Sequence, residues 1–512
     1  MPGAAVKLGP FSAGLNNVGE IGTIPDNALA DMVNFEIDVD GTLVSRPAII
    51  VEDGAPPSAD LIPHGYYVRN DGETFLVASG TSATYVYQIS TKVWTTIVPW
   101  PISGFVQYDN KIVMSQSGGS GGYWEAGVFT STPLMPSMDG IVAYQDRFWG
   151  YGVAGTANQT TIYFSNLNVI TPAQSVYDWA PTSNFITVGK GDGQVITKMV
   201  TDINALLIFR TSSTWQFTYP SAPGSGTLRV LSPTVGLENK FSIVAYENYY
   251  LLFCAGFLYQ FINYKWYPLN TKKVNFLRGS IGATQFNVRV SLFSRRAILW
   301  FYGTTYIYSI VTQTWTRWDS PGTYAGHFVM IPAAATSGDQ RTAFAVTGQN
   351  AAGVKKLWRI TDGVLAGLVG ESMTCFIRTK AYPINEYAKY KRLTYWSTEV
   401  RSASGVIGNA HPIALSALST TWDQMALTTW DALALGSWDN PLISPAQYID
   451  NTAFPAASPQ DIVVKLKQGF RFIRSYYELT LSTDGTSRTA PARIYAITLQ
   501  IKMHADVSQK VS

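Results

Sequence analysis

The side chains best suited to metal binding or nucleophilic catalysis are few in this sequence. It has two cysteines, Cys254 and Cys375, and four histidines, His64, His327, His411 and His504. No histidine stands at metal-ligand spacing from another His, Cys or acidic pair. Both cysteines lie in apolar, strand-like stretches, so we expect buried free thiols rather than a disulfide. A Gly-x-Ser-x-Gly match occurs at Gly118–Gly122, but no helix pattern follows it, so it does not predict a nucleophile elbow. We therefore predict no catalytic residue, no cofactor and no metal, and a protein that is not an enzyme.

Two motifs superficially resemble ligand-binding loops. Asp38, Asp40 and Gly41 have the start of a calcium loop, but the bidentate Glu six residues after the glycine is missing. A tight β-hairpin explains the same residues. The glycine-rich VGKGDGQ stretch, which contains Gly189, follows one predicted strand and precedes another. A dinucleotide site would need a helix after the glycines, so this stretch is interpreted as a loop.

Basic side chains cluster modestly in the last third of the chain. Over residues 372–512 Lys and Arg outnumber Asp and Glu, and alternation places Lys465 and Lys467 on one face of a strand. This face could approach DNA or an acidic partner, or it could simply be solvated. The net charge of +3 does not by itself indicate nucleic-acid binding.

One aromatic pattern organises the rest of the chain. Thr84–Pro101 and Thr305–Pro321 share it, with Tyr85, Tyr87 and Trp94 in the first copy and Tyr306, Tyr308 and Trp315 in the second. A looser third copy runs from Tyr259 to Trp266. Each copy alternates aromatic and β-branched residues, turns through a short polar segment, and resumes at the Trp. This pattern predicts a β-hairpin that is used at least three times.

The spacing of these hairpins indicates a propeller. Trp315 lies 49 residues after Trp266, and Trp358 lies 43 residues after Trp315, so each step corresponds to one blade. Turn signals between the repeats recur at short intervals, as expected for antiparallel strands. We predict an all-β fold with a six- or seven-bladed β-propeller over residues 61–371.

The two ends of the chain differ from this repeat. Residues 1–60 are predicted to contain a short helix at Asn27–Val33, capped by Asp26, and then a hairpin around an Asp-Gly turn. Residues 372–512 have longer strand patterns, which predict a separate C-terminal β-sandwich.

An insertion over residues 402–460 interrupts the predicted sandwich. It repeats Trp-Asp every eight residues, at Trp422, Trp430 and Trp438. These tryptophans could contact a neighbouring subunit, or they could pack on their own domain.

Composition favours an ordered protein with large contact surfaces. Of the 512 residues, 46% are hydrophobic, 13% aromatic and only 14% charged. The N-terminus lacks the apolar core of a signal peptide, and the apolar runs are too short for a membrane helix. We expect a protein that is made in a cytoplasm and does not insert into membranes.

The N-terminal residues resemble the opening of many bacteriophage tail proteins. The matching pattern, N-x-x-x-D-x-x-G-x-L-x-x-R-P after a Gly-Leu and a Pro-Asp, comprises Gly14, Leu15, Pro25, Asp26, Asn34, Asp38, Gly41, Leu43, Arg46 and Pro47. The chain resembles the propeller-containing nozzle or tail tubular proteins of short-tailed phages, which stabilise packaged DNA. The order of motifs is similar through Asp146–Gly152 and Gly191–Thr218. The C-terminal third resembles the family only in its general pattern of strands and contains no matching motif.

This resemblance implies a structural virion protein of the tail, assembled in the host cytoplasm. It implies a homo-oligomeric ring, a hexamer, that contacts other tail proteins such as an adaptor and a fibre or spike. Genomic DNA would be retained by the ring and would pass through its lumen on ejection. Two alternatives remain open: a kelch- or lectin-like carbohydrate-binding propeller, and a tail-tip protein of a long-tailed phage.

Overall fold

The computed structural model describes residues 4–18, 23–47, 49–52, 56–58, 61–167, 177–189, 191–219, 222–237, 239–269, 288–301, 304–318, 329–331, 342–347, 356–361, 373–380, 391–401, 406–415, 460–465, 471–472, 474–483 and 493–503. Over these ranges the chain folds into β-strands joined by turns, with a short 3-10 helix at Pro223–Ser225. The prediction of an all-β fold is confirmed. None of the helical structure in these ranges is long and apolar enough to cross a bilayer.

Six strands precede the repeated sheets. They are β1 (Ala4–Leu8), β2 (Gly14–Leu15), β3 (Ala28–Val33), β4 (Phe35–Ile37), β5 (Leu43–Ser45) and β6 (Ile49–Glu52). β4 and β5 form the predicted hairpin. Gly41 lies in its turn at φ +81°, a conformation that glycine adopts without strain. Asp40 Oδ1 accepts hydrogen bonds from the backbone N (2.9 Å) and the hydroxyl (2.7 Å) of Thr42. The acidic side chain therefore stabilises the turn, as the hairpin interpretation expects.

The helix predicted at Asn27–Val33 is wrong, because Ala28–Val33 is strand β3. This strand pairs on both sides with segments from the far end of the chain, near Arg317 and Thr379. Asp26, expected to cap the helix, forms an ion pair with Lys380 instead. Pairing partners distant in sequence overrode the local pattern, as is common for strands.

Five consecutive four-stranded sheets follow, and each is an antiparallel meander whose strands pair in chain order. Their strands are β7 (Ile62–Val68), β8 (Thr74–Ser79), β9 (Thr84–Gln88), β10 (Val93–Val98), β11 (Gly104–Tyr108), β12 (Lys111–Ser115), β13 (Gly122–Glu125), β14 (Val128–Ser131), β15 (Gly140–Tyr144), β16 (Arg147–Tyr151), β17 (Thr161–Phe164), β18 (Phe185–Thr187), β19 (Ile196–Asp202), β20 (Ala205–Arg210), β21 (Thr214–Thr218), β22 (Thr227–Ser232), β23 (Ile243–Tyr246), β24 (Tyr249–Cys254), β25 (Phe257–Ile262) and β26 (Lys265–Pro268). This is a β-propeller arrangement.

Two further meanders continue the pattern. Their strands are β27 (Arg289–Phe293), β28 (Arg296–Phe301), β29 (Thr304–Ser309), β30 (Thr314–Trp318), β31 (Val329–Ile331), β32 (Thr342–Thr347) and β33 (Lys356–Thr361). The last of these meanders has three strands of its own. Its fourth strand is β6, which pairs with β33 from the N-terminal segment.

Tight turns join neighbouring strands where the sequence predicted them. Gln145 and Asp146 both have positive φ values, +47° and +54°, and so do Asn263 and Tyr264, at +50° and +58°. Two consecutive left-handed residues form a type I′ turn, whose twist matches that of the flanking strands.

The remaining strands come from the C-terminal region. They are β34 (Met373–Thr379), β35 (Lys391–Arg401), β36 (Val406–Leu415), β37 (Gln460–Lys465), β38 (Arg471–Phe472), β39 (Arg474–Thr483) and β40 (Arg493–Met503). One sheet continues from β27–β30 through β3, β34, β39 and β36, with β2 paired to β3. The other has the order β37-β35-β40-β5-β4, with β1 paired to β40 and β38 to β35.

Both of these large sheets contain strands from the first 60 residues. A C-terminal sandwich built from residues 372–512 alone is therefore not confirmed. One buried cluster joins the two ends of the chain to the repeated sheets, and it includes Leu8, Phe35, Trp315, Ile377 and Ile497. Burial of this shared apolar surface explains why the terminal strands associate.

Candidate functional site

A central cavity of about 470 Å³ lies where the repeated sheets meet. Its walls come from the first strands of six successive meanders, β7, β11, β15, β19, β23 and β27. Neighbouring first strands contact one another around most of this circle, and β31 contacts β7. The cavity therefore lies on the axis of the propeller, and its volume is typical of small-molecule sites.

Lys198 on β19 lines this cavity. The pairing of β19 with β20 skips Thr197, so a β-bulge lies directly before the lysine. Bulges bend a strand and re-aim a neighbouring side chain. Burial, with a smaller contribution from the charge of Lys240, lowers the pKa of Lys198 to about 8. The side chain keeps some exposed surface because it faces the cavity, but the channel wall surrounds it and desolvates the ammonium group.

Lys240 contributes a second positive charge, from the loop before β23. Its Nζ donates a hydrogen bond to the carbonyl oxygen of Ser103 at 2.6 Å and lies 5.5 Å from the ring centroid of Phe241. Burial lowers the pKa of Lys240; repulsion from Arg289 adds to this effect and attraction to Asp139 opposes it.

Arg289, the first residue of β27, is a third cation that lies near Lys240, although it is not among the residues that line the cavity. Its guanidinium carbon lies 5.1 Å from the ring centroid of Phe241, so this ring contacts both Arg289 and Lys240. Nη1 of Arg289 is buried and has no hydrogen-bond partner in the described part of the chain. Burial lowers the pKa of this guanidinium.

His64 lines the same cavity from β7. The pairing of β7 with β8 skips His64, so this residue is itself the extra residue of a bulge. Its Nε2 lies 2.5 Å from the hydroxyl of Ser79, and its ring centroid lies 5.8 Å from that of Phe241.

The carboxylate that acts on Lys240 is engaged elsewhere. Asp139 precedes β15, and its two oxygens accept hydrogen bonds from the hydroxyl of Ser117 (2.7 Å) and the backbone N of Ala154 (2.9 Å). It forms no ion pair with either channel lysine among the described residues, and the described lining contains no Asp or Glu. The cavity lining is therefore positively charged, which suits it to bind an anion.

These cations were not predicted from the sequence, because each stands alone among apolar or uncharged residues and matches no binding motif. A signal was present in their spacing. Lys198, Lys240 and Arg289 are separated by 42 and 49 residues, close to the spacing of the aromatic repeat. Side chains at one blade spacing can meet at the axis, since successive first strands line the same channel.

The repeated aromatic residues form cross-strand pairs on outer hairpins. Tyr87 pairs with Trp94 across β9 and β10, and Tyr308 pairs with Trp315 across β29 and β30. The first tyrosines of each copy, Tyr85 and Tyr306, lie on the same two strands, β9 and β29. These hairpins are confirmed, and their aromatic side chains have a structural role.

In the third copy the register differs from that of the other two copies. Trp266 pairs with Phe261, and Tyr259 pairs with Pro268, because the turn between β25 and β26 is shorter. The rings of Phe261 and Trp266 lie 4.2 Å apart, centroid to centroid.

Trp358 does not occupy the position that its spacing predicted. It lies on β33, the third strand of its meander, whereas Trp94, Trp266 and Trp315 each lie on a fourth strand. The fourth strand of that last meander is β6, from the N-terminal segment, so no equivalent Trp follows in sequence.

Some of the other predicted residues lie within the described part of the chain and some lie outside it. Cys254 and Cys375 are buried free thiols, as expected. Trp422, Trp430 and Trp438 lie outside the described residues, as do His327, His504 and Lys467. Within the described ranges, no group of three His, Cys, Asp or Glu side chains is arranged to hold a metal ion.

The VGKGDGQ loop has a structural role. Arg210, fully buried, donates hydrogen bonds to the carbonyl oxygens of Gly189 and Gln194, both at 3.0 Å, and to the carboxylate of Asp192. One guanidinium therefore holds both ends of the loop, and a strand, β19, follows it.

Comparison with known proteins gives only distant likenesses. No family model matches the chain, and no curated protein matches it. Solved structures that resemble it include the WD40 propeller domain of Doa1, at 8% identity and TM-score 0.41, with 62% of this chain and 97% of that chain covered. An inactive virginiamycin B lyase from Staphylococcus aureus with quinupristin has 10% identity and TM-score 0.42, with 61% and 99% covered.

A third likeness is to the extracellular domain of a one-component system of B. thetaiotaomicron, at 9% identity and TM-score 0.41. The match covers 70% of this chain, which spans only 45% of that one. Similarities this remote do not indicate what activity the present chain has.

Proposed function

We propose that the chain is a structural protein of a bacteriophage tail, of the nozzle or tubular type. The observation that supports this proposal best is the role of its resemblance motif. Asn34 and Arg46, two residues of that motif, are buried, and they tie the N-terminal segment to both other parts of the chain. Motif residues that stabilise the contacts between parts of the chain fit a structural protein better than an enzyme.

The contacts of Asn34 support this role in detail. Its backbone N donates to the carbonyl of Arg317 on β30 (2.8 Å), and its Nδ2 donates to the carbonyl of Thr374 on β34 (2.7 Å). Its Oδ1 accepts from Nε of Arg46 (2.8 Å), whose guanidinium lies 5.6 Å from the ring centroid of Trp318. One residue, through its backbone and its side chain, therefore connects three regions of the chain.

We further infer that the propeller has seven blades. The sixth would be β27–β30, and the seventh would be β31–β33 completed by β6. Contact between β31 and β7 supports closure of the circle at this point. A blade completed by a strand from the N-terminal segment would also stabilise the closed ring of blades, because the ring could open only if that strand detached from its neighbour.

We also infer that the two large sheets form a sandwich assembled from both ends of the chain. Their strands share one buried cluster, which supports face-to-face association. The predicted sandwich is thereby retained in a revised form, with strands of residues 1–60 included.

In the assembled tail this protein forms a homo-oligomeric ring, a hexamer, between an adaptor and a fibre or spike. Genomic DNA passes through the lumen of the ring, and the chain catalyses no reaction of its own. Ring contacts of this head-to-tail kind need two complementary surfaces on each subunit.

Light scattering after size-exclusion chromatography, with negative-stain imaging, tests this proposal. A chain of 56.1 kDa should appear as a closed ring of six copies, either alone or with its adaptor. A species that stays at the mass of one chain, alone and with co-expressed tail proteins, would contradict the tail proposal.

A carbohydrate-binding propeller is the second candidate, and one observation favours it. Tyr66, Phe105 and Tyr250 line the central cavity, and aromatic rings of this kind stack on sugars. Saturable binding on a glycan array by a monomeric sample would support this candidate over the first.

A further inference from the structure

We propose that the central cavity is a binding site for a small oxyanion, a molecule that carries a phosphate or diphosphate group. This inference concerns the propeller axis alone and does not depend on a role in a phage tail. It rests on the charge of the cavity, on the donors left open there and on the local distortion of two strands.

Three cations approach one another without matching carboxylates. Lys198 and Lys240 repel each other, as do Lys240 and Arg289. Asp139 already accepts two hydrogen bonds and forms no ion pair with them in the described part of the chain. Buried charges without a partner are costly to the fold. A bound anion would offset this cost, and folded proteins tend to keep such an arrangement only where it serves a ligand.

The open donors can satisfy an oxyanion. Nζ of Lys198 has no hydrogen bond in the described structure, and Lys240 uses one of its three donors on Ser103. Nη1 of Arg289, which adjoins Lys240 but lies outside the cavity lining, is buried and has no hydrogen-bond partner in the described structure. Phosphate oxygens accept several charge-assisted hydrogen bonds at once, so a single group can engage more than one of these donors.

Two bulges place side chains toward the axis. One precedes Lys198 on β19, and the other contains His64 on β7. The remaining described first strands that line the cavity pair regularly with their neighbours. Bulges are frequent beside functional sites because they redirect a side chain, and here both occur at basic residues of one cavity.

The cavity also limits the size of the ligand. A volume of about 470 Å³ accommodates a molecule such as a sugar phosphate or nucleotide but excludes a folded partner or a duplex. Phe105 and Tyr250 provide apolar wall for the body of such a molecule. The ligand class is therefore a small organic phosphate or diphosphate.

Isothermal titration of the full chain with pyrophosphate tests this proposal, at pH 7 and constant ionic strength. The expected result is saturable binding with one site per chain. Lys198→Met and Lys240→Met should each weaken binding roughly tenfold or more, because each removes a charge-assisted hydrogen bond. Lys198→Arg keeps the charge and should retain most of the affinity.

Lys265→Met is the matched control. Lys265 is an exposed lysine on the outer strand β26, so its loss changes the net charge equally and should leave binding unchanged. The proposal would be overturned if Lys265→Met and Lys198→Met lost pyrophosphate affinity equally. It would also be overturned if the wild-type chain gave no saturable heat of binding. Thermal melting of each variant without ligand verifies folding, and retained binding by a folded Lys198→Met, Lys240→Met double variant would overturn it as well.

Discussion

The indole of Trp315 lies across hairpin β29–β30 from the phenol of Tyr308, with ring centroids 5.0 Å apart. Tyr87 and Trp94 repeat this relationship at the same 5.0 Å separation on β9–β10. The interplanar angles are also similar, at 48° and 43°. The repeated sequence pattern therefore encodes a repeated cross-strand contact, which is the unit that stabilises a sheet.

Replacement of Trp315 by Ala should destabilise the fold by about 3–5 kcal/mol, because the side chain is fully buried in the cluster that joins the chain ends. Trp266→Ala and Trp94→Ala, at half-buried positions, should cost less. Chemical denaturation monitored by far-ultraviolet circular dichroism measures these values. If the Trp315 and Trp94 replacements lowered the free energy of unfolding equally, burial would not explain the stability contribution of these residues.

Asn34→Ala should destabilise the chain by roughly 2–4 kcal/mol, since it removes one buried and one partly buried side-chain hydrogen bond and places alanine at φ +58°. Asn34→Gly loses the same bonds but tolerates the left-handed backbone, so the difference between the variants measures the conformational contribution. If both variants melt like the wild type, Asn34 does not hold the junction together.

Lys198→Met should raise stability at pH 7. The folded-state pKa of Lys198 is lowered to about 8, below its usual value, so its charge opposes folding while the group is protonated. Between the folded pKa and the unfolded value of about 10.5, the unfolded state binds more protons, and wild-type stability therefore rises with pH.

The advantage of Lys198→Met should accordingly be largest at pH 7 and shrink toward pH 10. The titratable side chains that line the same cavity are His64, Tyr151, Lys240 and Tyr250. Lys240 repels Lys198, so relief of this repulsion in Lys198→Met adds to the difference at pH 7. Urea titrations of the two proteins at each pH provide the comparison. A constant difference from pH 7 to pH 10 would exclude a lowered pKa at this site.

Anion binding should follow the opposite dependence on pH. Pyrophosphate affinity should fall as pH rises through about 8, because Lys198 loses its charge there. In Lys198→Arg, which stays protonated, the affinity should persist to higher pH. Parallel decline in both proteins would assign the titration to another group.

Arg210→Met should release the loop between Gly189 and Gln194, because the guanidinium donates to both carbonyls. Limited proteolysis should then cleave within this loop faster than in the wild type. Asp192→Asn, which keeps both carbonyl contacts, should change the cleavage rate much less. Similar protease resistance in all three proteins would show that the loop is held by other contacts.

Local features of this fold are readable in the sequence. The hairpins follow from strand alternation and polar turns a few residues apart, so short-range geometry specifies them. The Asp-Gly hairpin around Gly41 is equally local. The third aromatic copy has the same seven-residue spacing from Tyr259 to Trp266, yet its shorter turn pairs Phe261 with Trp266, a difference that the spacing alone does not reveal.

Long-range features were decided by tertiary structure. β3 appears helical when its residues are considered alone, and becomes a strand through pairing with segments near Arg317 and Thr379. β6 completes the sheet of Trp358 from about three hundred residues away. Lys198, Lys240 and Arg289 approach one another only after successive sheets surround a common axis. Alternation along a chain determines which faces of a strand are apolar, but the strands that meet are chosen by the apolar surface they can bury together, and that choice depends on the whole chain.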